Sequence, residues 1–93
     1  MAQRKSDRRL ILAWTEIAWE DYLYWQRTDK IILKKLNTLI KNTVRTPFSG
    51  LGKPEALKFD LINKWSRRIT NEHRLVYELR DDVLVILQCR YHY

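Results

Sequence analysis

Short runs of β-branched and aromatic residues alternate along this chain with longer stretches in which apolar residues recur at helical spacing. The run RRLILAW over residues 8–14 predicts a first strand. From Thr15 the spacing becomes three and four residues, and acidic residues lie near the start, where a helix dipole favours them. This pattern predicts a first helix whose apolar positions are Ala18, Trp19, Tyr22, Leu23 and Trp25.

A second helix is predicted to begin after Thr28 and Asp29, which are residue types that cap helix N-termini. Its apolar stripe consists of Ile32, Leu36, Leu39 and Ile40. The remaining surface carries Lys30, Lys34, Lys35 and Lys41. The second helix is therefore expected to present a basic outer face.

The segment RTPFSGLGKPE, residues 45–55, contains both prolines and both glycines of the chain and predicts one long loop, a natural place for function. Three strand-like runs follow, over residues 65–70, 74–79 and 83–92, joined by the short polar links NEH and RDD. The predicted fold is α+β, with an N-terminal strand and two helices packed on one face of a twisted antiparallel sheet. Residues 10–93 are expected to form a single domain, preceded by a flexible basic arm over residues 1–9.

Strand alternation sorts the side chains of the three C-terminal strands onto two faces. The simplest register places Thr70 opposite Arg74 and Leu79 opposite Val83, so that residues of equal parity share a face. The odd face, which the helices are expected to cover, contains Trp65, Ile69, Leu75, Tyr77, Leu79, Val83, Val85, Leu87, Cys89 and Tyr91. The even face contains Ser66, Arg68, Thr70, Arg74, Glu78, Gln88, Arg90 and His92.

Composition limits the class of protein. A chain of 93 residues that is 45% hydrophobic can fold around one core. One cysteine cannot form an internal disulfide, and neither a signal peptide nor an apolar stretch of about 20 residues is visible. These features predict a cytoplasmic protein without membrane contact. The net charge of +7 would attract a polyanion such as nucleic acid, although charge by itself is equally compatible with solubility.

The even face carries the residue types that phosphate chemistry requires. Arginine donors stabilise charge on phosphoryl oxygens, and a histidine can exchange a proton near neutral pH. RNA cleavage by internal attack of the 2′-hydroxyl needs a base, an acid and charge stabilisation, with no obligatory metal. The chain offers no Cys/His cluster or closely spaced acidic ligands, and no phosphate-binding glycine loop, so neither a metal nor a cofactor is expected.

Each of these residues, taken alone, also has a purely structural interpretation. Glu55 taken alone is only a loop carboxylate, and His92 taken alone is an exposed terminal residue. Arg67 and Arg68 are adjacent, so they face opposite ways in a strand, and Arg68 is favoured for the site. His73 lies in a turn, where a structural hydrogen bond is the expected role.

Four motifs carry a resemblance to a known family: WEDYLYWQ at 19–26, TPFSGLGKPEALK at 46–58, WSRRITNEHRLVY at 65–77 and CRYHY at 89–93. In this order and spacing they resemble the YoeB toxins of the RelE superfamily. The resemblance implies a microbial-ribonuclease-like fold and a toxin that enters the ribosomal A site of the 70S ribosome and cuts mRNA there. It also implies homodimers and silencing by a YefM-like antitoxin whose C-terminal segment wraps the toxin, with operator DNA reached only through that antitoxin.

The same resemblance implies roles for individual residues. Glu55 would be the general base, Arg74 the transition-state stabiliser and His92 the general acid. Tyr93 would position the nucleotide. Lys58 and Arg68 match positions expected around the phosphate.

Two other classes of function are compatible with the residues. One is a basic binding module that holds RNA or a partner without cutting it, in which case loss of Glu55 or His92 would change nothing. The other is a ribonuclease that acts on free RNA. Dependence of cleavage on the ribosome would distinguish this second class from a ribosome-dependent enzyme.

Overall fold

The computed structural model describes residues 10–92, apart from the side chain of Asp60. The arm predicted over residues 1–9 and the predicted site residue Tyr93 lie outside the described part. The elements, in chain order, are β1 (Ile11–Trp14), α1 (Glu16–Thr28), α2 (Lys30–Arg45), β2 (Glu55–Ala56), a 3₁₀ helix (Phe59–Leu61), β3 (Lys64–Arg68), β4 (Arg74–Arg80) and β5 (Val83–Gln88).

Both helices begin at side-chain caps, and the cap at Asp29 was predicted from the sequence. The Thr15 hydroxyl accepts a hydrogen bond from the Ala18 amide, which starts α1. Asp29 separates the helices, because its own amide donates to Trp25 and its carboxylate accepts from the first amides of α2. The predicted stripe of α2 is confirmed, with Leu36, Leu39 and Ile40 buried, and its lysines are exposed. Neither of these two helices is long and apolar enough to cross a membrane.

The sheet has five strands in the order β1-β5-β4-β3-β2. The predicted α+β architecture, with two helices on a sheet, is confirmed, and β3, β4 and β5 form the predicted antiparallel meander. The sheet is mixed rather than wholly antiparallel, since β1 pairs with β5 in parallel. Strand β2, which pairs with β3, was not predicted from the sequence. This short strand brings the end of the predicted loop onto the sheet.

The first hairpin keeps the predicted faces despite a different register. Arg68, and not Thr70, lies opposite Arg74, and β3 ends there. Because the shift is two residues, every side chain stays on the face expected for it.

The second hairpin contradicts part of the predicted odd face. Arg80 pairs with Val83 across a two-residue turn, in which Asp81 has a left-handed φ of 52°. This register differs by one residue from the predicted one, and a one-residue shift exchanges the faces of a strand. Leu84 and Ile86 are therefore the buried residues of β5, whereas the predicted core residues Val83, Val85 and Leu87 are only half-buried.

A β-bulge then reverses the faces again. Tyr77 pairs with Ile86 but Val76 pairs with Gln88, so Leu87 is the extra residue. Beyond it Cys89 is buried as predicted. The strand ends at Gln88 and not at His92, and beyond it Tyr91 adopts a left-handed φ of 67°. The prediction that Tyr91 belongs to the core is wrong, since it is 58% exposed.

Arg67 is fully buried and connects the sheet to the proline- and glycine-rich loop. Its Nε donates to the Tyr77 hydroxyl at 3.1 Å. Its two terminal nitrogens donate to the Asn42 side chain and to the carbonyl oxygens of Thr46, Ser49 and Leu51. Burial raises the pKa of Tyr77, while Arg67 acts in the opposite direction. Arg67 thus orders the loop that leads into β2.

Replacement of Arg67 by Met should lower the free energy of unfolding by about 3 kcal/mol, because a fully buried side chain would lose all five of its hydrogen bonds at once. The measurement is urea denaturation. Arg68→Met is the matched control, and its exposed position predicts a change within about 0.5 kcal/mol. Equal effects of the two substitutions would contradict the role given to Arg67.

Candidate functional site

The even face of the sheet brings together most of the residues singled out in the sequence. Glu55 lies opposite Ser66, Ser66 opposite Val76, and Val76 opposite Gln88, so these four form one row across four strands. Arg68 and Arg74 form the neighbouring pair. Paired residues of a sheet point to the same side. Glu55, Arg68 and Arg74 therefore share one face, with β2 and β4 two inter-strand steps of about 4.8 Å apart.

Two carboxylates lie on this face, and their surroundings differ. Glu78 is buried, Arg80 donates a hydrogen bond to it, and Lys64 lies 3.7 Å from its Oε1. The Arg80 guanidinium holds the pKa of Glu78 below its usual range. Glu55 is exposed on β2, next to the arginine pair. Glu55 is therefore the carboxylate that a bound polyanion could reach.

The Arg74 side chain is anchored at one nitrogen. Its Nη1 donates to the carbonyl oxygens of Thr70 at 2.6 Å and of His73 at 3.0 Å. Within residues 10–92, Nε and Nη2 of Arg74 make no hydrogen bond. A guanidinium held in this way has a fixed direction and retains two donor groups for an oxyanion.

His92 lies at the same end of the sheet. Its Nε2 is 3.2 Å from the carbonyl oxygen of Asn71, in the turn that also anchors Arg74. The Gln88 side chain donates to the carbonyl oxygens of Arg90 and His92, which curls the end of the chain back toward the sheet. The structure therefore brings His92 and Arg74 to one turn.

The segment before His92 is held by α1. The Trp25 indole donates to the Cys89 carbonyl at 2.8 Å, and the Cys89 amide donates to the Asp21 carboxylate at 3.0 Å. Burial raises the pKa of Asp21, while the Cys89 amide and the Arg90 guanidinium act to lower it. Burial and the Asp21 charge raise the pKa of the Cys89 thiol to about 12. Cys89 is therefore a protonated core residue and not a nucleophile.

Two residues with structural roles surround this segment. His73 accepts a hydrogen bond from the Tyr91 amide at its Nδ1, which confirms the structural role predicted for it. A structural role for Arg90 was not predicted from the sequence. Its guanidinium lies 3.5 Å from the ring centroid of Tyr24 and 4.5 Å from that of Tyr91. Only the high proportion of aromatic residues in the sequence indicated such a contact.

Lys58 and Arg68 are both exposed but lie in different places. Lys58 follows β2 and precedes the 3₁₀ helix. Arg68 borders a groove of about 350 Å³ between α2 and the loop, lined by Lys35, Thr38, Leu39, Leu51, Gly52, Lys53 and Arg68. Three cations and no carboxylate line this groove. It extends the basic surface from the even face to α2.

Metal binding finds no support in the arrangement of donors. Among residues 10–92, no group of three His, Cys, Asp or Glu side chains could hold a metal ion.

The aromatic residues of the first helix lie partly at the surface. Trp19 is 45% exposed and stacks on Tyr22 at 5.7 Å, and Trp14 packs against both rings. Leu12 is exposed and borders the same groove as Trp14 and Tyr22. We call this surface the aromatic patch; it lies at the β1 edge of the sheet.

The fold is shared with solved toxin structures. A YoeB/ParE toxin from Agrobacterium tumefaciens is 53% identical, with a TM-score of 0.86 over 90% of this chain and 100% of the other. A YoeB dimer and a heterotetrameric YoeB-YefM complex from Staphylococcus aureus are each 46% identical over 91% of this chain and 99% of theirs, with TM-scores of 0.84 and 0.82. The fold therefore defines a toxin of the YoeB/RelE-like class.

Sequence comparison narrows this class to one family. A family model described as the YoeB-like toxin of bacterial type II toxin-antitoxin systems matches residues 14–93. Toxin YoeB of Escherichia coli K12 is 66% identical over 82 residues, which are 88% of this chain and 98% of that protein. The chain belongs to the YoeB-like toxin family, the toxins of type II toxin-antitoxin systems.

Proposed function

We propose that this toxin is a ribosome-dependent endoribonuclease that cuts mRNA in the A site of the 70S ribosome and thereby stops translation. The observation that carries the proposal is the shared face of Glu55, Arg68 and Arg74, together with His92 at the turn that anchors Arg74. A carboxylate base, a histidine acid and fixed guanidinium donors are the groups that metal-independent RNA cleavage requires. The toxin domain spans residues 10–93 and acts in the cytoplasm, where ribosomes are.

In this reaction Glu55 removes the proton of the 2′-hydroxyl, and the resulting oxygen attacks the adjacent phosphorus. The bond from phosphorus to the 5′-oxygen breaks, and His92 gives that oxygen a proton. Arg74 stabilises the charge on the phosphoryl oxygens. The products are a 2′,3′-cyclic phosphate and a 5′-hydroxyl. Arg68 and Lys58 bind the phosphates on either side, and Tyr93 positions the nucleotide.

Dependence on the ribosome follows from the openness of the site. Glu55, Arg68 and His92 are all exposed, so little of the protein surrounds the scissile nucleotide. In-line attack by the 2′-hydroxyl requires a geometry that a flexible RNA rarely adopts alone, and fixing that geometry contributes a large part of catalysis. The ribosome supplies this orientation of the mRNA. Cleavage on the ribosome is therefore favoured over cleavage of free RNA.

A YefM-like antitoxin is the proposed inhibitor. The Staphylococcus aureus relative forms a YoeB-YefM complex, and in this chain the site residues Glu55, Arg68 and His92 are exposed. An antitoxin segment lying across the even face would cover Arg74 and His92 and exclude mRNA. Operator DNA is contacted only through the antitoxin.

Cleavage of a defined mRNA on 70S ribosomes, measured by primer extension, tests the enzyme proposal. Glu55→Ala, Arg74→Ala and His92→Gln should each reduce the cleavage rate by about 100-fold or more, since each removes a group that acts on the transition state. Added YefM-like antitoxin should abolish cleavage by the wild type, and free RNA should be cut poorly.

The matched control is Glu72→Ala, which removes an exposed carboxylate near the site without touching the catalytic groups. It should cleave at the wild-type rate. Cleavage that survives all three catalytic substitutions, or never occurs on ribosomes, would contradict the proposal and leave the basic face as a binding surface.

The groove between α2 and the loop is proposed to hold RNA phosphates, because Lys35, Lys53 and Arg68 converge on it. Lys35→Gln combined with Lys53→Gln should weaken ribosome binding and reduce the slope of log K against log salt concentration by about 1 to 2. Binding to 70S ribosomes at several salt concentrations provides the measurement. The control, Arg27→Gln with Lys30→Gln, removes the same charge outside the groove, and an equal change in slope would contradict the assignment.

The aromatic patch is proposed to form a homodimer. The Staphylococcus aureus relative is a YoeB dimer, and an exposed aromatic surface beside the β1 edge of the sheet suits self-association. Whether two copies act together on the ribosome is a separate matter from catalysis by one.

Trp19→Ser combined with Leu12→Ser should convert the dimer to a monomer, because the two substitutions remove exposed apolar side chains of the patch. Sedimentation velocity at micromolar concentration provides the measurement. Ile31→Ser, on α2 and 83% exposed, is the control and should leave the dimer intact. A wild-type monomer, or dissociation of the Ile31 variant, would contradict the proposal.

A further inference from the structure

We infer that His73 is a positioning residue that holds the end of the chain and thereby presents His92 to the site. The inference rests on the proposed function in one respect only, that His92 is the acid of the cleavage reaction. His73 itself lies in the turn between β3 and β4 and is half-buried. It acts through Tyr91, the neighbour of His92.

The connection begins with one hydrogen bond. The Tyr91 amide donates to Nδ1 of His73 at 2.8 Å, and the Tyr91 carbonyl accepts from the Arg74 amide at 2.9 Å. Both backbone groups of Tyr91 are therefore held by two consecutive residues, His73 in the turn and Arg74 at the start of β4. This fixes the backbone immediately before His92.

The backbone of Tyr91 needs such restraint. Its φ of 67° lies in the left-handed region, which is unfavourable for a side chain of this size and persists only where surrounding contacts impose it. The left-handed residue reverses the chain and brings His92 to within 3.2 Å of the Asn71 carbonyl. Without the bond to His73, Tyr91 would relax toward an extended backbone and carry His92 away from Arg74.

His73 is itself fixed on several sides. Its ring packs edge-on against Trp25 at 4.8 Å, and its amide donates to the Thr70 hydroxyl at 3.2 Å. Its carbonyl accepts from the amides of Ile69 and Thr70 and from Nη1 of Arg74. The same residue thus orients the guanidinium through its carbonyl and the histidine acid through its ring.

The bond also specifies the chemical state of the ring. A nitrogen that accepts from an amide carries no proton, so the proton of the neutral His73 ring must be on Nε2. A long-range ¹H–¹⁵N spectrum of the folded protein should show an unprotonated Nδ1 at His73. This observation does not depend on any catalytic activity.

A matched pair of substitutions isolates the acceptor. In Asn the Oδ1 atom is attached at the same point of the side chain as Nδ1 in His, and Leu has the same branching with a methyl group in that place. Both lose the ring contact with Trp25, and Asn differs from Leu in offering an acceptor at this position, along with a side-chain NH2 group. His73→Asn should therefore restore what His73→Leu removes.

Two readouts test the inference. Hydrogen exchange of the Tyr91 amide should be about fivefold faster in His73→Leu than in His73→Asn. The rate of mRNA cleavage at saturating ribosome concentration should fall by about 10- to 100-fold in His73→Leu and remain near the wild-type rate in His73→Asn, with little change in ribosome affinity for either.

The outcomes separate the two proposals. Unchanged Tyr91 exchange in His73→Leu, or equal loss of cleavage in both variants, would overturn the positioning role. If the wild type failed to cleave on ribosomes, the proposed function would fail, while the exchange rates and ring spectrum would still decide whether His73 holds Tyr91.

Discussion

The bulge at Leu87 is the constraint on which the site depends, because it decides the face to which the end of the chain belongs. Up to Ile86 the even-numbered residues of β5 point into the core. One extra residue reverses this alternation, so that Cys89 is buried and Gln88 joins the row of Glu55. Without the bulge, the end of the strand would direct its even-numbered residues toward the helices.

The first helix supplies the hydrogen bonds that the irregular segment cannot find in the sheet. The Thr15 hydroxyl donates to the Leu87 carbonyl at 3.0 Å, and the Thr15 amide donates to the carbonyl of Ile86. Trp25 and Asp21 bind the carbonyl and the amide of Cys89. Since buried backbone groups need hydrogen-bond partners, Thr15 at the N-cap and the polar groups of α1 stabilise the bulge. The helix therefore supports the site, although none of its own residues belongs to the site.

The sequence predicted the parts of this fold that local patterns determine. The cap at Asp29 and the apolar stripe of α2 follow from residue type and spacing. The faces of β3 and β4 also followed, because an error of two residues preserves parity. The faces of β5 did not, since a two-residue turn and a bulge depend on tertiary pairing that alternation alone does not reveal.

The candidate site could likewise be predicted from the sequence only in part. Arg68 and Arg74 could be placed on one face by counting residues along strands, whereas Glu55 could not, because β2 is only two residues long. The role of His73 in holding Tyr91 required the left-handed turn to be known. Arg67, adjacent to a site residue, turned out to be a buried support of the loop.

The most direct test compares two mRNAs on 70S ribosomes, one unmodified and one carrying a single 2′-deoxy substitution at the cut site. The measurement is the chemical identity of the ends that cleavage forms. Internal attack by the 2′-hydroxyl predicts a 2′,3′-cyclic phosphate and a 5′-hydroxyl from the unmodified mRNA and no cleavage at the substituted position. Cleavage at the 2′-deoxy position, or a product bearing a 5′-phosphate, would contradict internal attack and the roles given to Glu55 and His92.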